Sequence, residues 1–236
     1  EDLVNYMVHI TDLNRERNQK IIDQAKEINT LLLANNITPI FLKGTGNLLE
    51  GLYEDIAERM VGDIDFIVSK EEYLKTVEIF LNLGFETVVK DENHFPQFKH
   101  YPRLFKNVAE SIAGIEIHKE LLSEKYANEF NYDIVKKDVQ ILNNIHVLSY
   151  ANQLSLSIIA KQINDFGYYH KTISLRNGYD VFLLSQKTNA KKDIAFFNNI
   201  FEPLNSFLAI CYEVMGKISL LEYTETKKTK KFMAIF

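Results

Sequence analysis

Cysteine, proline and glycine are scarce in this chain, and their scarcity excludes several kinds of protein. The only cysteine, Cys211, cannot form an intramolecular disulfide, and its apolar neighbours favour a buried side chain over a reactive thiol. Only four prolines and nine glycines occur in 236 residues, without repeats or low-complexity tracts, so nothing marks a flexible linker. We therefore expect a packed protein without disulfides, with the cytoplasm as its compartment.

Long apolar runs and an excess of positive charge are also missing. No segment approaches the roughly 20 apolar residues of a membrane span, and the first residues lack the basic start of a signal peptide, so we expect no membrane partner. The formal charge of -5 argues against a general electrostatic grip on nucleic acid, although it does not exclude a local basic cleft. The lysines between positions 227 and 231 are interpreted as a solvated, frayed tail.

The residue pattern predicts an α/β (α+β) fold with two domains. Residues 1–122 alternate helical and strand patterns, which indicates a mixed sheet with helices, and residues 123–236 favour a mainly helical C-terminal domain. The predicted helices of the first domain are residues 14–35, 47–53 and 70–83, and its predicted strands are residues 39–42, 64–68, 85–89, 101–106 and 115–118. Residues 139–142 are compatible with a further strand or a connector.

Two acidic residues alternate with apolar residues at the start of a predicted strand. Because strand side chains alternate, Asp63 and Asp65 lie on one face, and Ile64 and Phe66 on the other. Two neighbouring carboxylates repel each other unless a cation lies between them, which points to a divalent metal and best to Mg²⁺. Taken alone, such a pair is more often the cap of a strand end.

Upstream, Lys43-Gly44-Thr45 lies between a predicted strand and a predicted helix. Glycine permits close approach to a phosphate, the helix N-terminus favours negative charge, and Thr45 can donate to a phosphate oxygen. The segment predicts a phosphate-binding turn, and a plain tight turn is the alternative. It is not a P-loop, because the Walker spacing is absent.

A third acid occurs in another predicted strand. Alternation puts Glu116 and His118 on one face, and three carboxylates from neighbouring strands can hold two metal ions. One ion would bind the triphosphate and the other would activate an acceptor hydroxyl. His118 is predicted to orient the acceptor or relay its proton, with a structural histidine as the alternative.

Several of these segments resemble one family in the same order. The motifs Phe41-Leu42-Lys43-Gly44 and residues 59–68, with Tyr53 between them, resemble the uncharacterised bacterial nucleotidyltransferase family of the polymerase-beta-like superfamily. Residues 115–121 are similar to its acid-x-His segment, and His94-Phe95-Pro96 resembles its histidine-proline stretch. The resemblance covers roughly residues 30 to 122, and the joint order is more specific than any single motif.

The resemblance implies a mixed sheet, two Mg²⁺ ions, a nucleoside triphosphate donor and release of pyrophosphate. It implies that Asp63, Asp65 and Glu116 bind metal and that Gly44 and Thr45 bind phosphate. The helical half would help to shape the acceptor and base pocket, although it carries only a loose match at residues 175–180, where no site residue is placed.

Two basic residues of the matching segments have less defined roles. Lys43 and Arg59 are assigned to nucleotide binding, with pairing to a nearby acid as the alternative for each. Should Glu116 not be the third acid, Glu120 or Glu110 is the next candidate.

The predicted function is transfer of a nucleoside monophosphate from a triphosphate to a hydroxyl of a small molecule, peptide or protein by a two-Mg²⁺ mechanism. One alternative is a non-catalytic nucleotide-binding module. Another is a toxin-like nucleotidyltransferase that modifies tRNA, against which the acidic charge counts.

Overall fold

The computed structural model describes residues 2–87, 99–106 and 112–236. Three features of the sequence analysis fall outside these residues: His94-Phe95-Pro96, Glu110 and the last two positions of the predicted strand 85–89. The chain divides into two compact units. The first comprises Glu1–Glu120 and Tyr132–Leu148, and the second comprises Leu121–Asn131 and Ser149–Phe236.

Seven strands in the described part of the chain form one mixed sheet in the first unit. They are β1 (Ile40–Phe41), β2 (Asp63–Ile67), β3 (Glu86–Thr87), β4 (Leu104–Phe105), β5 (Gly114–His118), β6 (Val139–Leu142) and β7 (Ile145–Leu148). Their order across the sheet is β3-β4-β5-β2-β1-β7-β6. The β2–β5 and β1–β7 pairs are parallel, and the other neighbours are antiparallel. This arrangement confirms the predicted mixed α/β (α+β) fold.

The helices of the first unit are α1 (Asp2–Ala34), α2 (Lys43–Leu49), α3 (Lys70–Asn82) and α4 (Tyr132–Val135), with a 3-10 turn at Ile56–Glu58. The Ser69 side chain accepts a hydrogen bond from the amide of Glu72, as a helix N-cap does. After α3, Gly84 adopts a φ of 83°, which a residue without a side chain reaches at little cost.

Several predicted boundaries differ from the structure. Helix α2 begins at Lys43 instead of residue 47, because the glycine-containing segment predicted as a phosphate-binding turn, or alternatively as a tight turn, forms the first turn of the helix. Residues 145–148 lie in the half predicted to be mainly helical, but they form strand β7. Because β7 pairs with β1, the β6–β7 hairpin belongs to the first unit, whereas the sequence analysis ended the first domain at residue 122.

Strand β2 separates an apolar face from a polar one. Its residues Ile64 and Phe66 are fully buried, and the Phe66 ring lies 6.2 Å from that of Phe80 in α3. Burying such large side chains contributes roughly 1.5–3 kcal/mol each, which fixes the register of β2 against α3. Asp63 and Asp65 therefore project from the opposite face of the strand.

Helix α1 holds the segment that leads into β2. The buried amide of Asn18 donates to the carbonyls of Ile56, at 2.5 Å, and Arg59, at 2.7 Å. The neighbouring Arg17 side chain donates to the carbonyl of Val61 at 3.1 Å. These side-chain bonds satisfy backbone carbonyls between residues 56 and 61, and they fix where β2 starts.

The second unit is helical, as predicted for the C-terminal half. Its helices are α5 (Tyr150–Ile159), α6 (Gly167–His170), α7 (Leu175–Ser185), α8 (Ala190–Ile194), α9 (Phe201–Val214) and α10 (Lys227–Met233), with a π-helical turn at Ala160–Asn164. The lysines between positions 227 and 231 are exposed, as predicted for a solvated segment, but they lie in helix α10 and not in a frayed tail. Buried Asn205 of α9 donates to Thr229 of α10 at 2.8 Å and anchors that helix.

Candidate active site

The register of two parallel strands brings the predicted acids together. Asp65 of β2 is directly paired with Glu116 of β5, and Asp63 is paired with Gly114. Directly paired residues of adjacent strands point to the same face, so the carboxylates of Asp65 and Glu116 become neighbours. Both residues are buried, whereas Asp63 at the start of β2 is partly exposed. The predicted convergence is therefore present in the fold.

Lys43 points its ammonium group into this cluster. Its Nζ lies 2.6 Å from Asp65 Oδ1, 3.7 Å from Glu116 Oε2 and 3.5 Å from His118 Nε2. The backbone of Lys43 has a φ of 51°, in the left-handed region that costs a residue with a side chain about 1–2 kcal/mol. This local strain is offset by the ion pairs that the side chain forms in that position.

Thr45 fastens α2 to the backbone of β2. Its hydroxyl donates to the carbonyl of Asp63 at 2.8 Å and lies 3.4 Å from the amide of Asp65, and its side chain is buried. The sequence analysis assigned this hydroxyl to a phosphate oxygen. In the fold it instead bridges the peptide groups on either side of Ile64, because α2 packs directly on the start of β2.

Gly44 and Arg59 lie side by side at the first turn of α2. A Cβ atom on Gly44 would come within 3.0 Å of Val61 and 3.2 Å of the Arg59 guanidinium. A side chain at this position would require Val61 and Arg59 to shift by a few tenths of an ångström, so the glycine permits the close packing of α2 against the segment before β2. Arg59 Nη1 also donates to the carbonyl of Met60 at 2.8 Å, so the guanidinium is held next to the helix start.

His118 contacts the carboxylate cluster from the end of β5. Its Nε2 lies 2.9 Å from Asp65 Oδ1 and 3.7 Å from Glu116 Oε2, and the residue is only 3% exposed. The ring packs against His100 with a centroid distance of 5.0 Å. A donor in this position orients the Asp65 carboxylate, as the outer-shell partners of metal ligands commonly do.

Arg103 is a member of the site that sequence reasoning missed. Its Nη2 donates to Asp63 Oδ2 at 3.0 Å and to Glu116 Oε1 at 2.9 Å, and its Nε lies 3.3 Å from the same Glu116 oxygen. The available signal was a basic residue inside the segment predicted as a strand at 101–106. Only the antiparallel pairing of β4 with β5 brings Arg103 beside Glu116.

The fallback acid Glu120 has a different partner. Its Oε1 lies 2.5 Å from the Nζ of Lys70, at the start of α3. The structure thus joins Asp63, Asp65 and Glu116 through Lys43 and Arg103, while the carboxylate of Glu120 pairs with a surface lysine. Glu116 keeps the position predicted for the third acid.

The protonation of the cluster depends on both burial and charge. Burial and the nearby charge of Glu116 raise the pKa of Asp63 to about 6, although Arg103 partly opposes this rise. Burial works against ionisation of Glu116, but His118 and Lys43 outweigh it and hold the pKa of Glu116 below its ordinary value. Burial similarly opposes the charge of Lys43, yet Asp65 and Glu116 raise the pKa of Lys43 above its usual value.

Comparison with known proteins shows the family of this chain. A family model described as "Uncharacterised nucleotidyltransferase" matches residues 1–214. The chain belongs to this family. Neither the curated proteins nor the solved structures include a significant match. Membership makes the protein a nucleotidyltransferase by family, and the acidic face of β2 and β5 is the candidate active site of this family member.

The acidic face fits a divalent cation by its donor chemistry. Among the described residues, Asp65, Glu116 and His118 each offer a ligand atom, and these atoms all lie within 4.8 Å of one another. Asp63 adds a partly exposed carboxylate beside them. Carboxylate oxygens are the donors that Mg²⁺ prefers, and Mg²⁺ is commonly held by one or two of them together with substrate phosphates.

No described helix combines the length and apolar character needed to cross a membrane.

The raised pKa of Asp63 predicts a stability effect that depends on pH. Its folded value of about 6 exceeds the ordinary value of 3.8, so ionised Asp63 destabilises the fold above pH 6, and this penalty disappears as the pH falls toward 4. In the presence of EDTA, Asp63→Asn should therefore raise the free energy of unfolding by about 1 kcal/mol at pH 8, a value reduced to allow for the partial exposure of this side chain. Near pH 4 the same substitution should change the free energy of unfolding little. Urea unfolding across this range measures the difference.

The matched variant Asp65→Asn should act in the opposite direction. Asp65 is buried and bonded to both Lys43 and His118, so loss of its charge should lower the free energy of unfolding by about 1–3 kcal/mol at pH 8. Parallel stability profiles for wild type and Asp63→Asn, or a stabilised Asp65→Asn, would contradict this electrostatic description.

Proposed function

We propose that the protein transfers a nucleoside monophosphate from a nucleoside triphosphate to a hydroxyl acceptor, with Mg²⁺ as its metal. The observation that carries this proposal is the in-register pair of Asp65 and Glu116 on β2 and β5, with Asp63 beside it and the first residue of α2, Lys43, in contact with both. Family membership supports the reaction class, and the proposal adds the donor, the metal and the residue roles.

The metal would be held by Asp63, Asp65 and Glu116. Three carboxylates best accommodate two metal ions. When bound, the metal neutralises the triphosphate and lowers the pKa of the acceptor hydroxyl. His118 keeps the Asp65 carboxylate oriented through its 2.9 Å contact. This positioning role differs from the acceptor or proton-relay role predicted from the sequence, and it follows from the burial of the ring.

The triphosphate would lie over the first turn of α2. Leu42, the residue before the helix, offers no side-chain cap, so the first amides of α2 are not satisfied by that residue. The Arg59 guanidinium beside Gly44 adds a positive charge at the same place. Thr45 contributes through its backbone amide and by holding α2 against β2, since its hydroxyl bonds to the β2 backbone.

Transfer itself can be tested before the acceptor is identified. The protein is incubated with each α-³²P-labelled nucleoside triphosphate, Mg²⁺ and a cell extract, and the label is then sought in small-molecule, protein and RNA fractions. We expect labelling of one fraction by wild type and none by Asp65→Asn, with EDTA abolishing the signal. Label in RNA would identify the tRNA-modifying alternative, and equal labelling by wild type and Asp65→Asn would contradict the proposed site.

Glu116 and His118 should differ in their effect on the transfer rate. Glu116→Gln removes an anionic metal ligand and should lower the single-turnover rate by more than about 100-fold. His118→Ala removes only a contact that orients Asp65, for which a loss of about 10–100-fold is typical. Rapid-quench measurement with saturating nucleotide separates the two. A wild-type rate in Glu116→Gln would show that the third acid is misassigned.

A second candidate, a nucleotide-binding module without turnover, is favoured by one specific observation. The ammonium of Lys43 lies among Asp65, Glu116 and His118, so the chain's own cation already neutralises the group that a metal would bind. Such a module needs no metal to bind nucleotide.

Titration calorimetry distinguishes this candidate from the transferase. For the transferase, Mg²⁺ and the triphosphate should each tighten binding of the other, because phosphate oxygens complete the metal site and the metal neutralises the triphosphate. We expect triphosphate binding in Mg²⁺ to be tighter than in EDTA by about tenfold or more, which corresponds to about 1.4 kcal/mol. Equal affinities in the two buffers would favour the module.

A further inference from the structure

The guanidinium of Arg103 holds two of the three carboxylates at once. Its Nη2 lies between Asp63 Oδ2, at 3.0 Å, and Glu116 Oε1, at 2.9 Å. Both contacts join the guanidinium to a carboxylate oxygen at hydrogen-bond distance. A single nitrogen thus bridges a carboxylate of β2 and a carboxylate of β5.

This position of Arg103 depends on the absence of a side chain at Gly114. A Cβ atom there would lie 2.2 Å from Cγ and 2.3 Å from Cδ of Arg103, closer than any real contact allows. Gly114 is paired in register with Asp63, so the arginine stem crosses β5 over the glycine on its way to Asp63. The absence of a side chain at Gly114 therefore leaves the space in which the Arg103 side chain crosses β5 to reach Asp63 on β2.

Arg103 and Lys43 differ in how easily they could leave. The Arg103 side chain is 46% exposed, and its partner Asp63 is 25% exposed. Lys43 instead pairs with Asp65, whose side chain is 9% exposed. Exposed ion pairs are weak and exchange readily with solvent ions, whereas a buried pair is costly to separate. Arg103 also pairs with Glu116, whose side chain is only 10% exposed. It is nevertheless the more exposed of the two cations, so its displacement would begin at the outer contact with Asp63.

We propose that Arg103 is a displaceable internal counter-ion that competes with a divalent metal for Asp63 and Glu116. The proposal rests on the proposed function in taking these two carboxylates as metal ligands. A metal held at about 2.0–2.1 Å from the same oxygens leaves no room for a guanidinium nitrogen between them, and the two positive charges repel.

This competition would make metal binding depend on the nucleotide. In the absence of a triphosphate, the guanidinium of Arg103 that a metal displaces has no new anionic partner to bind. A bound triphosphate offers the released guanidinium phosphate oxygens, which planar guanidinium groups bind well. The arginine would therefore keep the site in its metal-free state until the donor nucleotide arrives.

The test is Mn²⁺ affinity in the absence of nucleotide, measured by calorimetry and by electron paramagnetic resonance of free Mn²⁺. Arg103→Met retains a long stem without the charge and should bind Mn²⁺ about tenfold more tightly than wild type, an effect of about 1.4 kcal/mol. Gly114→Ala should produce a similar increase, because the added methyl group excludes the Arg103 stem. Destabilised folds do not bind metal more tightly, so an increase is not a sign of structural damage.

Three further variants make the experiment decisive. Gly62→Ala, where a Cβ would have no neighbour within 4 Å, is the matched glycine control and should leave Mn²⁺ affinity unchanged. The double variant Arg103→Met/Gly114→Ala should gain no more than either single variant, since both remove the same contact. Asp65→Asn should weaken binding strongly, which locates the metal in this site.

The outcomes separate the two proposals. Unchanged Mn²⁺ affinity in Arg103→Met, together with weakened binding in Asp65→Asn, would overturn the role of Arg103 and leave the proposed function standing. Equal Mn²⁺ binding by wild type and Asp65→Asn would overturn both. If Gly114→Ala does not fold, Arg103→Met decides the question alone.

Discussion

The pairing of Asp65 with Glu116 across β2 and β5 places two buried carboxylates side by side, and much of the site serves to balance their charge. An unpaired buried carboxylate costs several kcal/mol, so such a pair requires cations in contact. Lys43 supplies one from α2, and Arg103 supplies another from the opposite side. The left-handed backbone of Lys43 and the missing side chain of Gly114 both follow from this requirement.

The same requirement explains why α2 is fixed so firmly to β2. Thr45 bonds to the carbonyl of Asp63 and lies near the amide of Asp65, and Gly44 packs closely against Val61 and Arg59. These contacts hold the backbone of Lys43 at a constant distance from the carboxylates of Asp65 and Glu116. A site that positions phosphates needs such rigidity, because small misplacements of reacting groups are costly to the rate.

The site has two ways of neutralising its acidic face. In one, the chain's own cations bind the carboxylates, as seen for Lys43 and Arg103. In the other, a divalent metal and the triphosphate would share the same groups. The partial exposure of Arg103 and Asp63, against the burial of Asp65, indicates that exchange would begin at the outer pair. If exchange begins at the outer pair, the metal would bind weakly in the absence of nucleotide and strongly in its presence.

The sequence by itself determined the local features of the site and the class of fold. Alternation in β2 and β5 was sufficient to put Asp63 with Asp65 and Glu116 with His118, because strand side chains have a period of two. It also predicted helix α3 and the helical second half. The start of helix α1 was predicted too late, at residue 14 instead of Asp2, and its first turns expose apolar residues such as Leu3 and Met7 on the surface.

Only the tertiary structure decided how these parts meet. The pairing of β5 with β2, the return of the β6–β7 hairpin to β1 and the placement of β4 depend on contacts between residues distant in sequence, which no local pattern encodes. For that reason Arg103 could not be assigned from its neighbours, and Gly114 gave no sign of why a side chain is excluded there. Thr45 illustrates the same limit: its residue type suited a phosphate, but the packing of α2 on β2 directed its hydroxyl to the backbone of Asp63.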